Sequence, residues 1–547
     1  MESPAGAPGI AARLAPIFAV AGAFFGFSAA TLGDFGITWD EGVKIYDDDS
    51  YLAILQRIEP FDPLVVHIPG YFYVFDAARS LYAKAAKDLL GAPHPVLVHH
   101  SFNIAISTAC LVLLYLLVLR ICGERRLATL SAAALALMPQ FVGHSQNNPK
   151  DLPAVLMFLL VAWLVVRVAD APKRRNAAGL GIAFGVSLTT RVFAVLLVPI
   201  LGAWLLLRRR ALVFLHWRSY AFALGIAGVA AIASWPALWF RRAEMIDLAA
   251  KRLGLLRNID FDVLYLGRLY PWTDTPWHYT SVHLLITLPL VFIGLLLCVP
   301  FAARAWRERS PGKCDALWLG ALWAGALLAA DLFAPYHYDG IRHVLAAVPA
   351  VAILVAGGAE WLAERLEAAV AGLRSPAARR ALPWSLALCG LVTAWEIAQV
   401  HPYETAYLNP VANGLGGPKT EEWVEVEYWG NAYKEGAEWI NRHAEEEARV
   451  FFPLGGGQRS GEDIARFYLE RPIVRRGTLA AFAETSTPGY LMFITRSAWY
   501  DDLIREVRAR YAPVYTIRRQ RATLLEIYSN GTAPAANARD AADRSAQ

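Results

Sequence analysis

The sequence predicts a polytopic α-helical membrane protein of about 11 transmembrane helices, followed by a small C-terminal α/β domain. Three observations support this fold class. The 547 residues are 56% hydrophobic and 18% charged, with a mean hydropathy of +0.35, whereas soluble proteins are about 45–50% apolar and about 25% charged. Apolar stretches of spanning length follow one another through most of the chain. After them, short strand-like segments alternate with helical ones.

Each predicted span holds about 20 mainly apolar residues, the length that crosses a bilayer. The spans lie at residues 11–32, 96–119, 127–144, 153–169, 177–190, 192–207, 219–239, 281–303, 315–334, 342–362 and 383–399. The first stretch is too long for a signal peptide, lacks a basic n-region and precedes many further spans, so it is interpreted as an anchor. The apolar stretch around 177–207 is too long for one span and is divided at Thr189, Thr190 and Arg191.

The positions of the basic residues predict the orientation, because cytoplasmic loops carry an excess of Lys and Arg. The clusters are Arg120, Arg125 and Arg126; Lys173, Arg174 and Arg175; Arg208, Arg209 and Arg210; Arg304, Arg307, Arg309 and Lys313; and Arg374, Arg379 and Arg380. With a turn at Arg191, all of them fall on the side of the N-terminus. The sequence therefore predicts a cytoplasmic N-terminus and an exterior C-terminus.

This topology places segments 33–95, 145–152, 240–280 and 335–341 outside, together with the tail from about residue 400. The cytoplasmic loops are short connectors, so we expect the function on the outer face. The cysteines, all in spans or cytoplasmic loops, are Cys110, Cys122, Cys298, Cys314 and Cys389. The exterior part is therefore predicted to hold no disulfide.

The first exterior loop begins with the acidic sequence "GITWDEGVKIYDDDS". Asp40 and Glu41 follow Trp39 a few residues after the first span, where a carboxylate can act as a base at the membrane surface. The three acids at 47–49 could hold Mg²⁺ or Mn²⁺, but a solvated loop that caps the next helix is favoured. Histidines without ligand spacing also gather near the outer face: His67, His94, His99, His100 and His144. The sequence therefore leaves open whether the protein binds a metal ion.

Residues 69–90, "PGYFYVFDAARSLYAKAAKDLL", show apolar side chains at helical spacing. The pattern predicts an amphipathic helix that lies in the membrane interface. A helix packed on a soluble domain is the alternative. The interface is favoured because the loop lies between two spans.

The second exterior loop, "GHSQNNPKDLP" at 143–153, precedes the next span. It contains Asn148, Lys150 and Asp151, and the simplest interpretation of Asp151 is an N-cap. Because the loop is short and joins two long spans, we expect it close to the first exterior loop.

Arg191 lies at the turn inside an apolar stretch, and Arg342 and His343 open the helix that follows "PYHYDG". An ionisable group costs about 2.5–3.5 kcal/mol at the centre of a span, so each is a functional candidate. A guanidinium there binds either a lipid headgroup, by snorkelling, or a substrate phosphate. His337 and His343 flank Arg342 and are interpreted as interface residues.

Exterior carboxylates, arginines on the same face and an interfacial helix together predict transfer of a group from a lipid phosphate to an acceptor hydroxyl or amine. Asp40 or Glu41 would deprotonate or orient the acceptor, and the arginines would stabilise the leaving phosphate. The alternative is a transporter or flippase of a lipid-linked or ionic substrate. Transporters favour acids inside the membrane and inverted repeats, whereas these acids lie in exterior loops.

The order and sidedness of these motifs resemble the bacterial branch of the protein O-mannosyltransferase and aminoarabinose-transferase superfamily, polytopic glycosyltransferases of the GT-C fold. Asp40 and Glu41 are similar to its Asp-Glu pair, and the segment 148–151 to its Asn-Pro-Lys-Asp signature. "GVSLTTR", ending at Arg191, and "YDGIRHVL", containing Arg342, resemble further family segments, as do "HPYETAYLNPVANGLGG" and "EYWGNAYKEGAEWI". The resemblance extends to about residue 440.

The resemblance implies a sugar donor on undecaprenyl or another polyprenyl phosphate, inversion at the sugar carbon, and the bacterial cytoplasmic (inner) membrane. The acceptor would be a glycolipid, a polysaccharide or a protein. The implied catalytic residues are Asp40 as general base, Glu41 in support and Asp151 near the acceptor or a metal. The implied donor-phosphate residues are Arg191, Arg342 and Lys150. Further candidates for substrate contact are Trp39, His67, Asn148 and His343.

The predicted domains are a transmembrane GT-C domain at 1–400, an exterior α/β domain at 401–528 and a disordered tail at 529–547. The strands of the exterior domain are predicted at "RVFFPL", "GYLMFITR", "PVYTIRR" and "ATLLEIY", with helices near 460–469 and 499–510. The three glycines at 455–457 lack the Gly-Lys-Ser/Thr ending of a phosphate loop and are interpreted as a turn.

Overall fold

The structure is a computed structural model of the chain. It describes residues 10–42, 73–91, 94–235, 261–334, 337–372, 376–417, 419–453, 461–474, 479–483 and 487–531. The predicted acids at 47–49, His67, the glycines at 455–457 and most of the C-terminal tail lie outside the described residues.

Helices dominate the part of the chain before residue 401. They are α1 (Ile10–Ala30), α2 (Tyr73–Leu90), α3 (Pro95–Cys122), α4 (Arg125–Ala136), α5 (Pro139–Asn147), α6 (Asp151–Asp170), α7 (Arg174–Thr190), α8 (Leu197–Arg208), α9 (Arg210–Ala233), α10 (Tyr279–Thr287), α11 (Leu290–Leu297), α12 (Val299–Arg309), α13 (Pro311–Asp331), α14 (Val348–Gly372) and α15 (Pro376–Val400). Short 3₁₀ turns, Val192–Leu196 and Arg342–Ala347, lead into α8 and α14.

The predicted apolar stretches are mostly helical where the structure describes them, with breaks at residues 137–138 and 288–289. Among the described residues, five helices are long and apolar enough to cross a membrane, or up to seven if each bent pair is one span. The bent pairs are α4 with α5, at 65°, and α10 with α11, at 109°. The helical membrane fold is therefore confirmed, and the count of eleven spans stays a prediction.

Two glycines on α7 allow its backbone to lie in contact with the backbone of α9. A Cβ atom at Gly181 would lie 2.4 Å from the carbonyl oxygen of Ala223, and one at Gly185 would lie 2.4 Å from that of Ala227. Small residues at this spacing are a common way for membrane helices to pack without gaps. The packing fixes the course of α7, whose C-terminal end carries Arg191.

The basic loops meet at one end of the helical bundle. The ion pairs that join them are Arg120 with Asp170, Arg126 with Glu360, Arg208 with Asp315, and Lys313 with Glu124 and Glu360. These pairs connect the ends of helices that are distant in sequence. The candidate site described below lies at the opposite ends of the same helices.

The helix α2 buries charge and exposes apolar side chains. Asp76 and Arg79 are buried and form a 2.8 Å ion pair, whereas Leu81 and Leu89 are exposed. A helix packed on a soluble domain has the reverse arrangement, because apolar surface is then turned inward. The arrangement agrees with contact between α2 and lipid, which remains a prediction.

The C-terminal part contains a five-stranded sheet. Its strands are β3 (Arg449–Phe451), β4 (Ile473–Val474), β5 (Gly489–Ile494), β6 (Pro513–Arg519) and β7 (Ala522–Ser529), after the hairpin of β1 (Asp262–Tyr265) and β2 (Arg268–Pro271). The strand order is β4-β3-β5-β7-β6. The strands β4, β3 and β5 are parallel, and β7 runs antiparallel to β5 and β6.

Short helices complete this part: α16 (Pro410–Leu415), α17 (Tyr433–His443), α18 (Glu462–Ala465), α19 (Leu479–Ala483) and α20 (Asp502–Arg510). The predicted small α/β fold is confirmed. The helix expected near 460–469 is shorter than predicted, because residues 466–468 form a turn and the helix ends at Ala465.

The sheet region packs directly on the segment that follows α1. The hydroxyl of Tyr468 accepts a 3.0 Å hydrogen bond from the Ile37 amide, and the Trp39 amide donates to the Trp429 carbonyl at 3.2 Å. Gly36 lies so close to Asn431 that a Cβ atom would meet its carbonyl oxygen at 2.2 Å. The segment 424–431 is therefore held between the sheet and the bundle, beside the candidate site.

Candidate active site

Asp40 lies in the first turn of a short helix whose start is set by its neighbours. The Thr38 amide donates to the Glu41 carboxylate at 3.2 Å, and the Glu41 amide donates to the Thr38 hydroxyl at 3.3 Å. This reciprocal pair is a capping box, which the sequence Thr-x-x-Glu favours. It fixes the backbone between the two residues, so Trp39 and Asp40 project in set directions.

Glu41 is fully buried and bonded to α3. Its carboxylate accepts from the side-chain amide of Asn103 at 3.3 Å and lies 3.3 Å from Nε2 of His100. Since the carboxylate is taken up by the cap and by these contacts, Glu41 anchors the helix of Asp40 to the bundle. The supporting role in catalysis that the resemblance implied for Glu41 stays a prediction.

The carboxylate of Asp40 is held between two cations. Lys150 Nζ lies 2.5 Å from Oδ1, and Arg342 Nη1 lies 2.8 Å from Oδ2. Only 4% of Asp40 is exposed, so the contacts are weakly screened by water. Two cations at this distance favour the ionised carboxylate.

The loop before α6 is shaped by the side chain of Asn148. Its carbonyl oxygen accepts from the Lys150 and Asp151 amides at 3.0 and 2.8 Å, and its amide nitrogen donates to Asp151 Oδ2 at 3.0 Å. Asp151 is therefore the first residue of α6 and not its cap. The interpretation of Asp151 as only an N-cap is wrong, because Asn148 satisfies the backbone and Asp151 is oriented by it.

Arg191 separates α7 from the 3₁₀ turn that follows, as the division of the apolar stretch predicted. Its backbone is extended, which turns the side chain back toward α6. There its guanidinium forms an ion pair with the carboxylate of Asp151. The arginine thus contacts a buried acid of the protein.

Arg342 follows an Asp-Gly turn. Asp339 and Gly340 both have positive φ, of 56° and 62°, a combination for which Asp-Gly pairs are well suited. The turn places the Asp339 carboxylate 3.0 Å from Arg342 Nη2, while Nη1 contacts Asp40. The guanidinium also lies 5.3 Å from the centre of the Trp429 ring, so aromatic and acidic groups both fix its position.

A further arginine reaches this cluster from the sheet. Arg496 follows β5, is only 3% exposed and donates to Asp339 Oδ1 at 2.9 Å. It also contacts both oxygens of Glu425 at 3.1 Å. Burial raises the pKa of Glu425 to about 7, although Arg496 acts in the opposite direction; the two-point contact favours the ionised acid.

Sequence reasoning missed Asp339, Glu425 and Arg496. The Asp-Gly dipeptide before Arg342 signals a tight turn and was available as a clue to Asp339. Nothing local marks Arg496, which is 157 residues from its partner Asp339. Only the packing of the sheet on the bundle brings the two together.

The other predicted residues occupy different surroundings. Trp39 turns toward the sheet region, where its indole donates to the Tyr428 carbonyl at 3.2 Å. His343 is half-buried, with its ring 4.7 Å from that of Tyr338. His144 lies beside Asn148 at 3.0 Å. Among the residues that the structure describes, no group of three or more His, Cys, Asp or Glu could hold a metal ion.

The cluster is balanced in charge. Its cations are Lys150, Arg191, Arg342 and Arg496, and its acids are Asp40, Asp151, Asp339 and Glu425. Each guanidinium carries five N–H donors, so it can hold an acid and still donate to another anion. The arrangement can therefore bind an added phosphate beside a carboxylate that accepts protons.

Comparison with known proteins gives two kinds of likeness. Residues 97–236 match the family model described as dolichyl-phosphate-mannose-protein mannosyltransferase. The fold is similar to that of ArnT from Cupriavidus metallidurans bound to undecaprenyl phosphate, with a TM-score of 0.51, 13% identity, and coverage of 96% of this chain and 99% of that chain. No curated protein sequence is detectably similar to the chain.

The fold is also similar to that of the oligosaccharyltransferase of Archaeoglobus fulgidus in its apo form, with a TM-score of 0.50, 11% identity, and coverage of 92% of this chain and 73% of that chain. The two structural likenesses show the fold, and the family match adds the sequence pattern of 97–236. The predicted GT-C fold and the resemblance to the mannosyltransferase and aminoarabinose-transferase superfamily are thereby confirmed. The family match over 97–236 agrees with the predicted enzyme class, a membrane glycosyltransferase that uses a lipid-phosphate-linked sugar.

Proposed function

We propose that this chain moves a sugar from a polyprenyl-phosphate donor to an acceptor on the outer face of the bacterial cytoplasmic membrane, with inversion at the sugar carbon. The acceptor is a glycolipid, a polysaccharide or a protein. The observation that carries the proposal is the buried carboxylate of Asp40, held by Lys150 at 2.5 Å and Arg342 at 2.8 Å at one end of a helical bundle. A lipid-linked donor suits a site at the end of membrane helices.

The donor phosphate would bind at the cations beside Asp40. Lys150, Arg191 and Arg342 are each half-buried to buried and already neutralised by acids. Lysine and arginine each carry several N–H donors, so these side chains can bind an acid of the protein and a phosphate together. As the sugar–phosphate bond breaks, negative charge grows on the phosphate, and donors fixed in advance stabilise it at no cost of reorganisation.

Asp40 would act as the base late in the reaction. At rest its two cations make it a weak proton acceptor. When the acceptor oxygen bonds to the anomeric carbon, its hydroxyl proton becomes strongly acidic and passes to the Asp40 carboxylate. The bond between that carbon and the phosphate oxygen breaks in the same step, and the electron pair leaves with the phosphate. A single displacement of this kind inverts the sugar carbon.

Glu41 and Asp151 would act by positioning other residues of the site. Glu41 ties the turn that carries Asp40 to α3 through Asn103 and His100. Asp151 holds Arg191, which keeps that guanidinium directed into the cluster. The undecaprenyl phosphate bound to ArnT, which shares the fold, supports a polyprenyl donor. Whether transfer needs a divalent cation is tested by the comparison with and without Mn²⁺.

The proposal is tested by following transfer with Asp40→Asn. Purified protein in nanodiscs is incubated with polyprenyl-phosphate sugars and envelope extract, with and without Mn²⁺, and both the sugar product and the free lipid phosphate are measured. We expect the variant to lose at least about a hundredfold in rate and to keep donor binding, because the cations remain. Asp34→Asn is the matched control, since Asp34 is exposed and pairs with His401 away from the cluster.

Loss of transfer in Asp40→Asn but not in Asp34→Asn supports the base. Full activity in Asp40→Asn overturns that role. Absence of transfer by the native chain with every donor overturns the donor class, and the transporter alternative is then tested by movement of labelled lipid across vesicles.

A further inference from the structure

Arg496 belongs to the sheet region but contacts acids of the charged cluster around Asp40. It lies two residues after the end of β5 and is almost completely buried. Its guanidinium bonds both oxygens of Glu425, one oxygen of Asp339 and the Tyr428 carbonyl, at 2.9–3.1 Å. It also lies 3.9 Å from the centre of the Trp499 ring. A charge is expensive to bury, so contacts of this number imply that its position is held firmly.

Asp339 connects this arginine to the proposed base. One of its oxygens lies 2.9 Å from Arg496 and the other 3.0 Å from Arg342. The second arm of Arg342 lies 2.8 Å from Asp40. An unbroken series of ion pairs therefore runs from the sheet to Asp40, and every member is buried or nearly so.

Removal of the arginine charge would disturb this series in a definite direction. Asp339 and Glu425 would then face each other with only Arg342 nearby, and Arg342 would serve two acids without compensation. Its attraction to Asp339 would grow, and its hold on Asp40 and on a donor phosphate would weaken. At lower pH Glu425, whose pKa is raised by burial, takes up a proton and relieves the imbalance.

We infer that Arg496 is a positioning residue for the transfer reaction, because it fixes Asp339 and through it sets the place of Arg342 beside Asp40. The inference rests on the proposed function of that site. It makes the C-terminal α/β region a part of the active site. Since the guanidinium binds two acids at once with a planar set of donors, a lysine can replace its charge but not its geometry.

The test compares four variants of the full-length protein. Arg496→Met removes the charge, Arg496→Lys keeps it, and Arg496→Met with Glu425→Gln removes one charge of each sign. Arg508→Met is the matched control, because Arg508 lies in the same region and its Nε pairs with Glu526 at 3.0 Å. For each variant, kcat and the KM for the donor are measured from pH 5.5 to 8.5.

We expect Arg496→Met to lower kcat by about tenfold to a hundredfold, the effect of a small displacement at a reacting centre. The loss should be smaller at low pH, and both Arg496→Lys and the double variant should recover part of the rate. Arg508→Met should resemble the native protein. A uniform loss at every pH, without recovery in either variant, would show a purely structural role and overturn the inference.

A second measurement does not depend on activity. Amide hydrogen exchange of residues 337–347, next to Asp339 and Arg342, should speed up in Arg496→Met and not in Arg508→Met. Unchanged exchange in both variants overturns the positioning role even if the enzyme is active. Faster exchange in Arg496→Met together with a native chain that transfers no sugar supports the coupling and contradicts the proposed function instead.

Discussion

At the scale of single residues, the site depends on how acids are oriented before any substrate binds. Asp40 has a different cation on each oxygen, at 2.5 and 2.8 Å. Asp151 is directed by Asn148, which also bonds two backbone amides of the same loop. Because these side chains are almost fully buried, small changes in their surroundings alter their charge and position strongly.

The sequence identified most of these residues by type and location. Polar groups next to apolar spans are costly, so Asp40, Lys150, Asp151, Arg191 and Arg342 stood out against their surroundings. What it did not reveal was their pairing. Ion pairs form across long sequence separations, and any of the acids could have partnered any of the cations until the packing of the helices was known.

Glu427 provides a test of burial at this scale. Its carboxylate accepts from the backbone amides of Trp429, Gly430 and Asn431 at 3.1, 2.5 and 3.2 Å, and burial raises its pKa to about 7 despite those bonds. A raised pKa means that the folded protein binds a proton more tightly than the unfolded chain. The contribution of Glu427 to stability is therefore full below about pH 4.5 and is lost as pH rises to about 7.

Glu427→Gln should remove this pH dependence, because the amide oxygen still accepts the backbone bonds and carries no charge. Between pH 4.5 and 7 we expect the native protein to lose at most about 3 kcal/mol in free energy of unfolding relative to the variant. Its apparent Tm should fall relative to that of the variant over the same range. Thermal unfolding in detergent at several pH values measures it. Glu438→Gln, at an exposed position, is the control, and a constant difference from pH 4.5 to 7 would contradict the expectation.

At the scale of elements, prolines decide where apolar stretches break. Met138 precedes Pro139 and Leu288 precedes Pro289, and both preceding residues have extended backbone. Proline disfavours helical backbone in the residue before it, so the stretches predicted as single spans at 127–144 and 281–303 bend by 65° and 109°. Hydropathy predicted the helices but not the bends, because the mean hydropathy of an apolar stretch is the same whether the helix is straight or broken.

The close packing of α7 on α9 gives a prediction for Gly185. A methyl group there would lie 2.4 Å from the Ala227 carbonyl oxygen, so Gly185→Ala must push the helices apart. We expect a loss of about 1–3 kcal/mol in stability, the usual cost of overpacking, and lower transferase activity, because α7 leads to Arg191. Apparent Tm and donor binding measure the two effects.

Gly179→Ala is the control on the same helix. A Cβ atom there meets only a side-chain atom of Leu164 at 3.8 Å, an ordinary contact. Alanine is better than glycine in a helix by about 1 kcal/mol, so this variant should be as stable as the native protein or more so. Equal stability of the two variants would show that the approach of α7 to α9 is looser than described.

At the scale of the whole molecule, the helical bundle separates two charged ends. One end holds the ion pairs of the basic loops, such as Arg120 with Asp170 and Arg208 with Asp315. The other holds the acids and cations around Asp40, covered by the sheet region. The charge pattern of the loops predicts that the first end faces the cytoplasm, and the proposed reaction requires the second end to face the periplasm.

This orientation is testable with two cysteine variants and a thiol reagent that does not cross membranes. Asp502→Cys lies on the sheet region, where the native side chain is 93% exposed. Glu308→Cys lies at the exposed end of α12, close to the basic loops. The five native cysteines are buried or half-buried, so the native chain measures the background.

We expect Asp502→Cys to react in intact spheroplasts and Glu308→Cys to react only after the membrane is permeabilised. The opposite pattern would place the Asp40 cluster on the cytoplasmic face, where it could not reach an acceptor outside the cell. That result would contradict both the predicted topology and the proposed site of the reaction.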